Sequence, residues 1–234
     1  MNIALLLSGG IGSRLPSKQP KQYILVSGKM IISYTLEILC CHPEIDAIQI
    51  VANPDWQDKI LEQMRTFHID DTKVYGFSIP GENRQMSIYH GLCDIKQYAM
   101  ENDAVLIHDA VRPCVSNHLI STCFHALKKY DGVIPVLPMT DTVYRSEDGK
   151  YISQLLNRNQ IYAGQAPEGF RLGKYLQANE VLLPEKILHI NGSTEPAILS
   201  GMDVVMIDGE KDNFKITTSS DLERFKQLKG ENLE

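Results

Sequence analysis

Continuous apolar runs alternate along the chain with stretches in which apolar residues recur at helical spacing. Residues 2–7 form the first run, which stops at Ser8-Gly9-Gly10, as a strand covered on both faces stops where a glycine loop begins. Strand followed by helix, repeated, predicts right-handed βαβ units around a parallel sheet. The pattern predicts strands at 2–7, 47–51, 104–107, 132–137 and 203–207, and helices at 30–39, 57–64, 83–100, 118–129, 173–183 and from Ser219 or Ser220, whose hydroxyls offer an N-cap.

The alternation changes near residue 139. Two short segments at 142–145 and 151–155 flank a polar turn that contains Gly149, which predicts a β-hairpin. A hairpin inserted into a wound sheet usually projects from it. No linker, repeat or low-complexity segment interrupts the chain, and its 234 residues suit a single α/β domain. We therefore predict one domain over residues 1–234, with a projecting β-hairpin arm at about 139–160.

Composition narrows the classes of function. With 43% hydrophobic and 22% charged residues, the chain has the balance of a soluble globular protein. A formal net charge of −6 argues against a nucleic-acid partner, which would need a basic surface. No apolar stretch approaches the ~18–20 residues of a membrane helix, and the start lacks a signal-peptide pattern, so we expect no membrane partner and a cytoplasmic protein. The five cysteines form no Cys-x-x-Cys pair, which favours buried thiols over disulfides or zinc.

The loop after the first strand has the composition of a phosphate-binding site. Glycines at the carboxyl end of a strand in a parallel sheet let backbone N–H groups approach phosphate oxygens. The loop lacks the Gly-Lys-Ser/Thr of a Walker A motif, and Leu15 stands where the third glycine of a dinucleotide fingerprint belongs. Arg14 and Lys21 lie in the same segment. They are either cations beside a bound phosphate or solvated bases at a glycine turn.

A carboxylate is expected at the same edge of the sheet. Asp109 follows the apolar run at 104–107, and a carboxylate beside phosphates most often holds Mg²⁺. The alternative is that Asp109 only starts a turn before Pro113. His108 is given no role, because a lone histidine at a strand end is more often packed than catalytic.

Two further segments carry polar groups that suit an anion. Gly81, Arg84 and Ser87 lie at a helix start, where N–H groups and a hydroxyl suit a phosphate or the edge of a base, although most such segments are plain capped helices. Lys215 precedes the last helix. A single lysine is usually exposed to solvent. The position of Lys215 between Asn213 and two threonines, however, is too polar for a core strand and suggests that the segment lines a binding site.

Taken in order, these segments resemble the 2-C-methyl-D-erythritol 4-phosphate cytidylyltransferase family and its close relatives, the ribitol 5-phosphate cytidylyltransferases. The resemblance covers essentially the whole chain, and five motifs occur in register. They are Gly9-Gly10-x-Gly12-x-Arg14 with Pro20-Lys21-Gln22, Gly81-x-x-Arg84-Gln85-x-Ser87 with Gly91-Leu92, His108-Asp109-Ala110-Val111-Arg112-Pro113, Asp141-Thr142, and Asn213-Phe214-Lys215-Ile216-Thr217.

The resemblance implies a doubly wound, mostly parallel, Rossmann-like nucleotidyltransferase fold and a homodimer that interlocks through the hairpin arm. It also implies transfer of CMP from CTP to a polyol phosphate with release of pyrophosphate, a reaction that brings two anions together and so needs cations. It implies catalytic roles for Arg14, Lys21 and Lys215, and Mg²⁺ or another divalent cation held by Asp109. Nucleotide binding then falls to Ser8, Gly9, Gly10, Gly12, Gly81, Arg84, Ser87 and Ala110, and acceptor binding to Arg112, Thr142, Arg158 and Asn191.

The chain departs from the family's pattern around the acceptor. Where the family usually reads Gln-Thr-Pro-Gln, this chain has Gln165-Ala166-Pro167-Glu168, which removes a hydroxyl donor and adds a carboxylate. Where a Thr-Asp pair is expected, Asn191 or Thr194 is the substitute. The acceptor is therefore open between 2-C-methyl-D-erythritol 4-phosphate, for isoprenoid synthesis, and D-ribitol 5-phosphate, for a wall or capsule polymer. Val111 favours ribitol.

Two other functions fit the same residues. A sugar 1-phosphate nucleotidyltransferase that uses UTP or dTTP would also need a glycine loop with Arg14 and Lys21. A catalytically inactive nucleotide-binding homologue would account for the altered acceptor segment. Against inactivity, every residue assigned to CTP and Mg²⁺ is present.

Overall fold

The computed structural model describes residues 1–10 and 19–230. Its strands are β1 (Asn2–Leu7), β2 (Leu25–Val26), β3 (Lys29–Met30), β4 (Ala47–Val51), β5 (Val74–Ser78), β6 (Ala104–Asp109), β7 (Gly132–Pro138), β8 (Val143–Arg145), β9 (Gln154–Leu156), β10 (Tyr162–Gly164), β11 (Glu168–Arg171) and β12 (Val204–Asp208). Its α-helices are α1 (Ile31–Cys41), α2 (Pro54–Thr66), α3 (Arg84–Ile95), α4 (Asn117–Leu127), α5 (Leu172–Glu180), α6 (Glu195–Leu199) and α7 (Ser219–Leu228), and 3₁₀ turns occupy Lys21–Tyr23, Arg158–Gln160 and Lys186–His189.

The main sheet has eight strands and is mostly parallel. β1 pairs in parallel with β4 on one side and with β6 on the other, and β5 continues beyond β4. β12 pairs in parallel with β7. β11 lies antiparallel between β6 and β7, and β10 pairs antiparallel with the end of β7. The prediction of an α/β fold around a mostly parallel sheet is confirmed.

Helices cover both faces of this sheet. In β1, Ala4 and Leu6 pack in a core cluster with residues of α1, α2 and α4, whereas Ile3 and Leu5 pack with residues of α3 and α5. Successive strand residues point to opposite faces, so a strand that is apolar at every position must be covered on both sides. The doubly wound arrangement follows from this pattern. In the described ranges, none of the helices has the length and apolar content of a membrane span.

The strands that sequence periodicity missed are short or contain glycine. β5 includes Gly76, β10 ends at Gly164, and β11 includes Gly169. Glycine disfavours a strand because it supplies no side chain to pack. In β11 the position of Gly169 must lack a side chain, because a Cβ there would lie 2.8 Å from Leu106 Cδ2. Close packing of β11 against β6 therefore requires a glycine, and this glycine interrupts the apolar pattern by which a strand is predicted.

The bounds of the helices differ from the prediction by up to five residues, and the largest difference is at the end of α3. The helix predicted at 83–100 ends at Ile95, and Met100 N–H donates to the Asp103 carboxylate in the turn that leads into β6. The last helix begins at Ser219, as predicted, but its N-cap is Thr218 rather than Ser219 or Ser220. Thr218 Oγ1 accepts a hydrogen bond from Asp221 N–H while the Asp221 carboxylate accepts one from Thr218 N–H. This reciprocal pair is a capping box.

The predicted hairpin is present as β8 paired with β9, in a sheet separate from the main one. Its second strand begins at Gln154 rather than at 151, because the Asp148 carboxylate accepts hydrogen bonds from the N–H groups of Lys150 and Tyr151 and lengthens the turn. None of residues 139–160 is buried. This segment, which we call the arm, therefore adds nothing to the hydrophobic core.

Gly91 sets the approach of α3 to β1. A Cβ there would lie 2.4 Å from Cδ1 of the buried Leu5. We expect Gly91→Val to lower the free energy of unfolding by about 1–3 kcal/mol through overpacking, measured by urea denaturation. The same new side chain at an exposed position of α3, in Asp94→Val, is the control and should change it by about 0.5 kcal/mol or less. Equal losses in the two variants would contradict the close packing.

Candidate active site

The parallel register of β1 and β6 places the glycine loop beside Asp109. Leu7 pairs with Asp109 across the two strands, and Ala110 N–H donates to Leu7 O at 3.1 Å. The carboxyl ends of adjacent parallel strands meet at one edge, where α/β proteins bind ligands. The cleft at this edge has a volume of about 400 Å³ and is lined by Leu7, Gly9, Gly10, Lys21, Gln22, Gly81, Glu82, Asn83, Arg84, Ser87, Asp109, Val111 and Lys215.

A larger cavity of about 720 Å³ lies at the opposite, amino-terminal edge of β6. Two of its cations are engaged within the protein: Lys174 Nζ lies 2.5 Å from Asp131 Oδ1, and Arg171 Nη1 donates to Asn102 O. Its lining contains none of the predicted site residues. We therefore take the smaller cleft as the candidate active site.

Side chains from the turn Lys21–Tyr23 hold the start of the glycine loop. Gln22 Nε2 donates to Ser8 O at 2.6 Å and to Gly10 O at 2.8 Å. Tyr23 Oη donates to Ser8 O, and Ser8 Oγ donates to Tyr23 Oη, each at 2.9 Å. The ring of Tyr23 stacks on Trp56 with centroids 4.0 Å apart. The Ser8 hydroxyl thus faces the interior rather than the cleft, and Tyr23 is a positioning residue that the sequence did not reveal.

The start of α3 forms the opposite wall of the cleft. Gly81 N–H donates to Ser87 Oγ at 3.0 Å, and Ser87 Oγ donates to Asn83 O. Asn83 caps the helix by accepting a hydrogen bond from Met86 N–H. A Cβ on Gly81 would lie 2.4 Å from Met86 Cβ and 2.9 Å from Ser87 N. Only glycine therefore fits at Gly81, and its close approach brings the predicted residues Gly81 and Ser87 together.

Asp109 lies at the centre of a cluster of cations. Arg84 Nη2 is 3.2 Å from Oδ1, Lys215 Nζ is 2.9 Å from Oδ2, and Arg112 Nε is 3.6 Å from Oδ2. Burial by itself would raise the pKa of the Asp109 carboxyl, but the charges of Arg84, Lys215 and Arg112 hold that pKa well below its usual range. Asp109 is therefore a carboxylate at neutral pH. We call these four residues the Asp109 cluster.

Backbone contacts fix the segment that carries Lys215. Ile216 N–H donates to Val111 O at 2.9 Å, just after the end of β6. Arg112 Nη1 donates to Asn213 O at 2.6 Å, and the buried Asn213 donates through Nδ2 to Ala166 O. The polar setting of Lys215 noted in the sequence is thus a set of contacts that tie this segment to the sheet.

Arg84 is held from a distant part of the chain. Its Nη1 donates to Ser193 Oγ at 2.6 Å, and Ser193 O accepts a hydrogen bond from Tyr175 Oη at 2.6 Å. Ser193 is almost fully buried. No sequence signal indicated this role, because a serine 109 positions away carries no local pattern that links it to an arginine.

Several predicted site residues lie elsewhere. Arg14 and Gly12 fall outside the described residues. Ala110 is buried, with its N–H bound to Leu7 O and its carbonyl accepting from Thr35 Oγ1. Thr142 and Arg158 are exposed on the arm, where Arg158 Nη1 donates to Thr140 O, and Asn191 is exposed with its N–H bound to Glu195. None of these described residues lines the cleft of a single chain.

Comparison with known proteins identifies the family. The family model described as IspD, 2-C-methyl-D-erythritol 4-phosphate cytidylyltransferase, matches residues 2–228. The chain belongs to this family. Its fold matches the solved 2-C-methyl-D-erythritol 4-phosphate cytidylyltransferase (IspD) of Francisella tularensis with a TM-score of 0.81 and 25% identity, covering 97% of this chain and 98% of the other. The recognition from sequence motifs is confirmed, and the IspD family is one of nucleotidyltransferases.

Relatives within the family carry two kinds of name. A ribitol-5-phosphate cytidylyltransferase of Streptococcus agalactiae serotype V is 31% identical, over 97% of this chain and 95% of the relative. A bifunctional enzyme IspD/IspF of Paramagnetospirillum magneticum is 33% identical, over 97% of this chain. The chain spans 56% of that bifunctional relative.

The residues of the cleft fit a metal ion that arrives with a nucleotide. Within the described part of the chain, no group of three or more His, Cys, Asp or Glu side chains suits a metal ion. Asp109 and Glu82 are the carboxylates in the described lining of the cleft. Mg²⁺ is commonly bound by one or two carboxylates together with phosphate oxygens and water. This donor set therefore fits Mg²⁺ bound to a triphosphate.

Removal of the Asp109 charge tests the cluster. We expect Asp109→Asn to lower the free energy of unfolding by about 3 kcal/mol, because the three cations then lose the carboxylate that lies next to each of them. Added pyrophosphate, in the presence of EDTA, should raise the Tm of this variant more than that of the wild type, since the anion replaces the missing charge.

The control for this test is Asp212→Asn, which breaks a surface pair in which Arg224 Nη2 lies 3.0 Å from Asp212 Oδ1. Exposed pairs contribute about 1 kcal/mol or less. A loss of stability for Asp109→Asn no larger than that of the control would show that Asp109 does not organise the cations.

Proposed function

We propose that this IspD-family protein transfers CMP from CTP to a polyol phosphate and releases pyrophosphate. In this reaction an oxygen of the acceptor's phosphate attacks the α-phosphorus of CTP, one P–O bond forms, and the bond to the leaving pyrophosphate breaks. The observation that carries the proposal is the Asp109 cluster beside the glycine loop. It sets Arg84 and Lys215 in the lining of the cleft, with Arg112 next to Asp109. Charge increases on the phosphorus oxygens in the transition state, where such preorganised cations act most strongly.

The cations divide between the reacting groups. Lys21, next to the glycine loop, neutralises the triphosphate and the leaving pyrophosphate together with Arg14. Lys215 stabilises the α-phosphate, and Arg112 faces the acceptor. Backbone groups around Gly9, Gly10 and Gly12 bind phosphate, and Gly81 and Ser87 hold the cytosine side. A covalent intermediate is not needed, because positioning and charge neutralisation account for the catalysis.

Asp109 would hold Mg²⁺, which neutralises the charge of the triphosphate when it is bound. The acceptor is D-ribitol 5-phosphate or 2-C-methyl-D-erythritol 4-phosphate. The relative from Streptococcus agalactiae, matched over 95% of its length, supports ribitol, while the family description supports methylerythritol. We place the reaction in the cytoplasm.

The proposal is tested by pyrophosphate release with Mg²⁺ and each combination of nucleotide and acceptor. The nucleotides are CTP, UTP and dTTP, and the acceptors are ribitol 5-phosphate, methylerythritol 4-phosphate and glycerol 3-phosphate. We expect turnover with CTP and one of the first two acceptors. Faster turnover with UTP or dTTP would contradict the choice of nucleotide, and CTP binding without turnover of any acceptor would favour an inactive homologue.

The two described lysines of the cleft should be needed for turnover. We expect Lys21→Ala and Lys215→Ala each to lower kcat by about 10²–10³-fold without unfolding the protein, because each removes charge aimed at a phosphate. Lys211→Ala is the matched control, since Lys211 is exposed in the same loop as Lys215. Wild-type rates in either cleft variant, with circular dichroism unchanged, would refute that lysine's role.

We further propose that the protein is a homodimer in which the arm of one subunit reaches the cleft of the other. The arm exposes large apolar side chains, Tyr144, Tyr151, Ile152 and Leu155, each more than half exposed. Such a patch is typical of an interaction surface. Arg158 and Thr142 lie on the arm and outside the cleft of their own chain, so a second copy is the way to bring them to an acceptor.

Mixing two impaired variants tests this arrangement, with the acceptor at a concentration well below its KM for Arg158→Ala. Arg158→Ala alone should raise the KM of the acceptor much more than the KM of CTP, because its assigned partner is the acceptor phosphate. The Arg158→Ala and Lys215→Ala proteins are then dissociated, mixed in equal amounts and reassociated. The mixture should show about a quarter of wild-type activity, because random pairing makes half of the dimers mixed and each mixed dimer contains one intact site. No recovery, although mixed dimers form, would place Arg158 and Lys215 in the same subunit's site.

A further inference from the structure

The antiparallel strand β11 brings a second carboxylate to the face of the sheet that carries Asp109. Glu168 is its first residue and lies opposite Ile107 of β6. Residues directly opposite in an antiparallel pair have side chains on the same face, and residues two apart in one strand share a face as well. Glu168 and Asp109 therefore lie on the same face of the sheet, about 7 Å apart along the strand direction.

Glu168 accepts a hydrogen bond from Thr194, and its charge acts on two guanidinium groups of the site. Thr194 Oγ1 donates to Glu168 Oε2 at 2.7 Å, and Glu168 is only 9% exposed. Burial acts to lower the pKa of Arg84, but the charges of Asp109 and Glu168 outweigh it and raise that pKa. Burial lowers the pKa of Arg112, although the charges of Asp109 and Glu168 act to raise it. The charge of Glu168 thus acts on both arginines.

Two consecutive residues fix this arrangement. Ser193 accepts a hydrogen bond from Arg84, and Thr194 donates one to Glu168. Ser193 is itself anchored by Tyr175 Oη, which donates to its carbonyl. The short segment Ser193–Thr194 therefore sets an arginine and a glutamate of the site relative to one another.

A buried carboxylate is an unexpected group in a site that must bind two phosphates, because it repels them. The carboxylate suits the part of the acceptor that carries hydroxyl groups rather than the phosphate. An ionised carboxylate accepts hydrogen bonds at about four lone-pair positions, and Thr194 is the donor to Glu168 among the described residues. The remaining capacity suits hydroxyl groups, which are the donors that a polyol offers and a phosphate lacks.

We propose that Glu168 binds hydroxyl groups of the acceptor and is a specificity-determining residue that favours D-ribitol 5-phosphate. This inference rests on the function proposed above. Ribitol 5-phosphate has a hydroxyl on every carbon that does not carry the phosphate. Methylerythritol 4-phosphate has one hydroxyl fewer and a methyl branch, so it offers the buried carboxylate one donor fewer. A buried polar group that loses one hydrogen-bond donor is a basis on which a site rejects an analogue.

The test compares both acceptors in wild-type protein and in Glu168→Gln, which keeps the size of the side chain but removes the charge. We expect the wild type to prefer ribitol 5-phosphate. In the variant, kcat/KM for ribitol 5-phosphate should fall by about 10–100-fold while that for methylerythritol 4-phosphate changes by less than about threefold, with the KM of CTP within about twofold. The control is Glu180→Gln, at an exposed glutamate that ends α5.

A purely structural role for Glu168 would lower kcat/KM for both acceptors equally or raise the KM of CTP, and either result would overturn the inference. So would a wild-type preference for methylerythritol 4-phosphate. If Glu168→Gln does not fold, Thr194→Val replaces it, because it keeps the carboxylate but removes its anchor. The ratio of the two kcat/KM values should then shift in the same direction, and an unchanged ratio would overturn the inference.

Failure of the proposed function gives a different result. In that case the wild type itself turns over neither acceptor with CTP. Turnover of ribitol 5-phosphate by the wild type, with no change of preference in Glu168→Gln, leaves the cytidylyltransferase activity standing and removes only the role of Glu168.

Discussion

Three cations converge on one carboxylate, and the site depends on this ion-pair cluster. Without Asp109, the side chains of Arg84, Arg112 and Lys215 would repel one another in a partly buried setting, where repulsion between like charges is costly. With it, each cation is held in place before any substrate binds. A phosphate resembles the Asp109 carboxylate, because it is negatively charged and presents oxygen atoms to the same cations. The free protein therefore already has its cations arranged for an anion, which is the condition for electrostatic catalysis with little reorganisation.

Strand register transmits this constraint to the rest of the fold. The parallel pairing of Leu7 with Asp109 fixes the glycine loop beside the cluster, and the antiparallel pairing of Glu168 with Ile107 fixes a second carboxylate on the same face. A slip by one residue in either pair would turn these side chains to the opposite face. The buried apolar residues on both faces of β1 and β6 prevent such a slip. The hydrophobic core and the chemistry of the cleft are therefore specified by the same register.

The sequence predicted those parts of the molecule in which local pattern and structure coincide. The apolar runs marked β1, β4 and β6, and the residues that follow β1 and β6 are the ones that meet at the cleft. β11 was missed, because Gly169 packs where a side chain would collide with its neighbours and so breaks the apolar pattern. Contacts such as that of Ser193 with Arg84 join segments far apart in the chain. Only the packing of α5 and the segments around it brings them together, and no local spacing encodes it.

The balance of charge shows that the Asp109 cluster and Glu168 do not by themselves neutralise the charge of the proposed substrates. Arg84, Arg112 and Lys215 face Asp109 and Glu168, so this part of the site has one positive charge more than it has negative. A nucleoside triphosphate and a phosphate monoester together bring several negative charges. Further cations must therefore enter with the substrates or from outside this cluster. In the function proposed above, an arginine on the arm of a second subunit and a divalent ion on the triphosphate would supply this charge. The divalent ion would do so only when the nucleotide is bound, so the free protein would avoid the repulsion that another permanent cation causes.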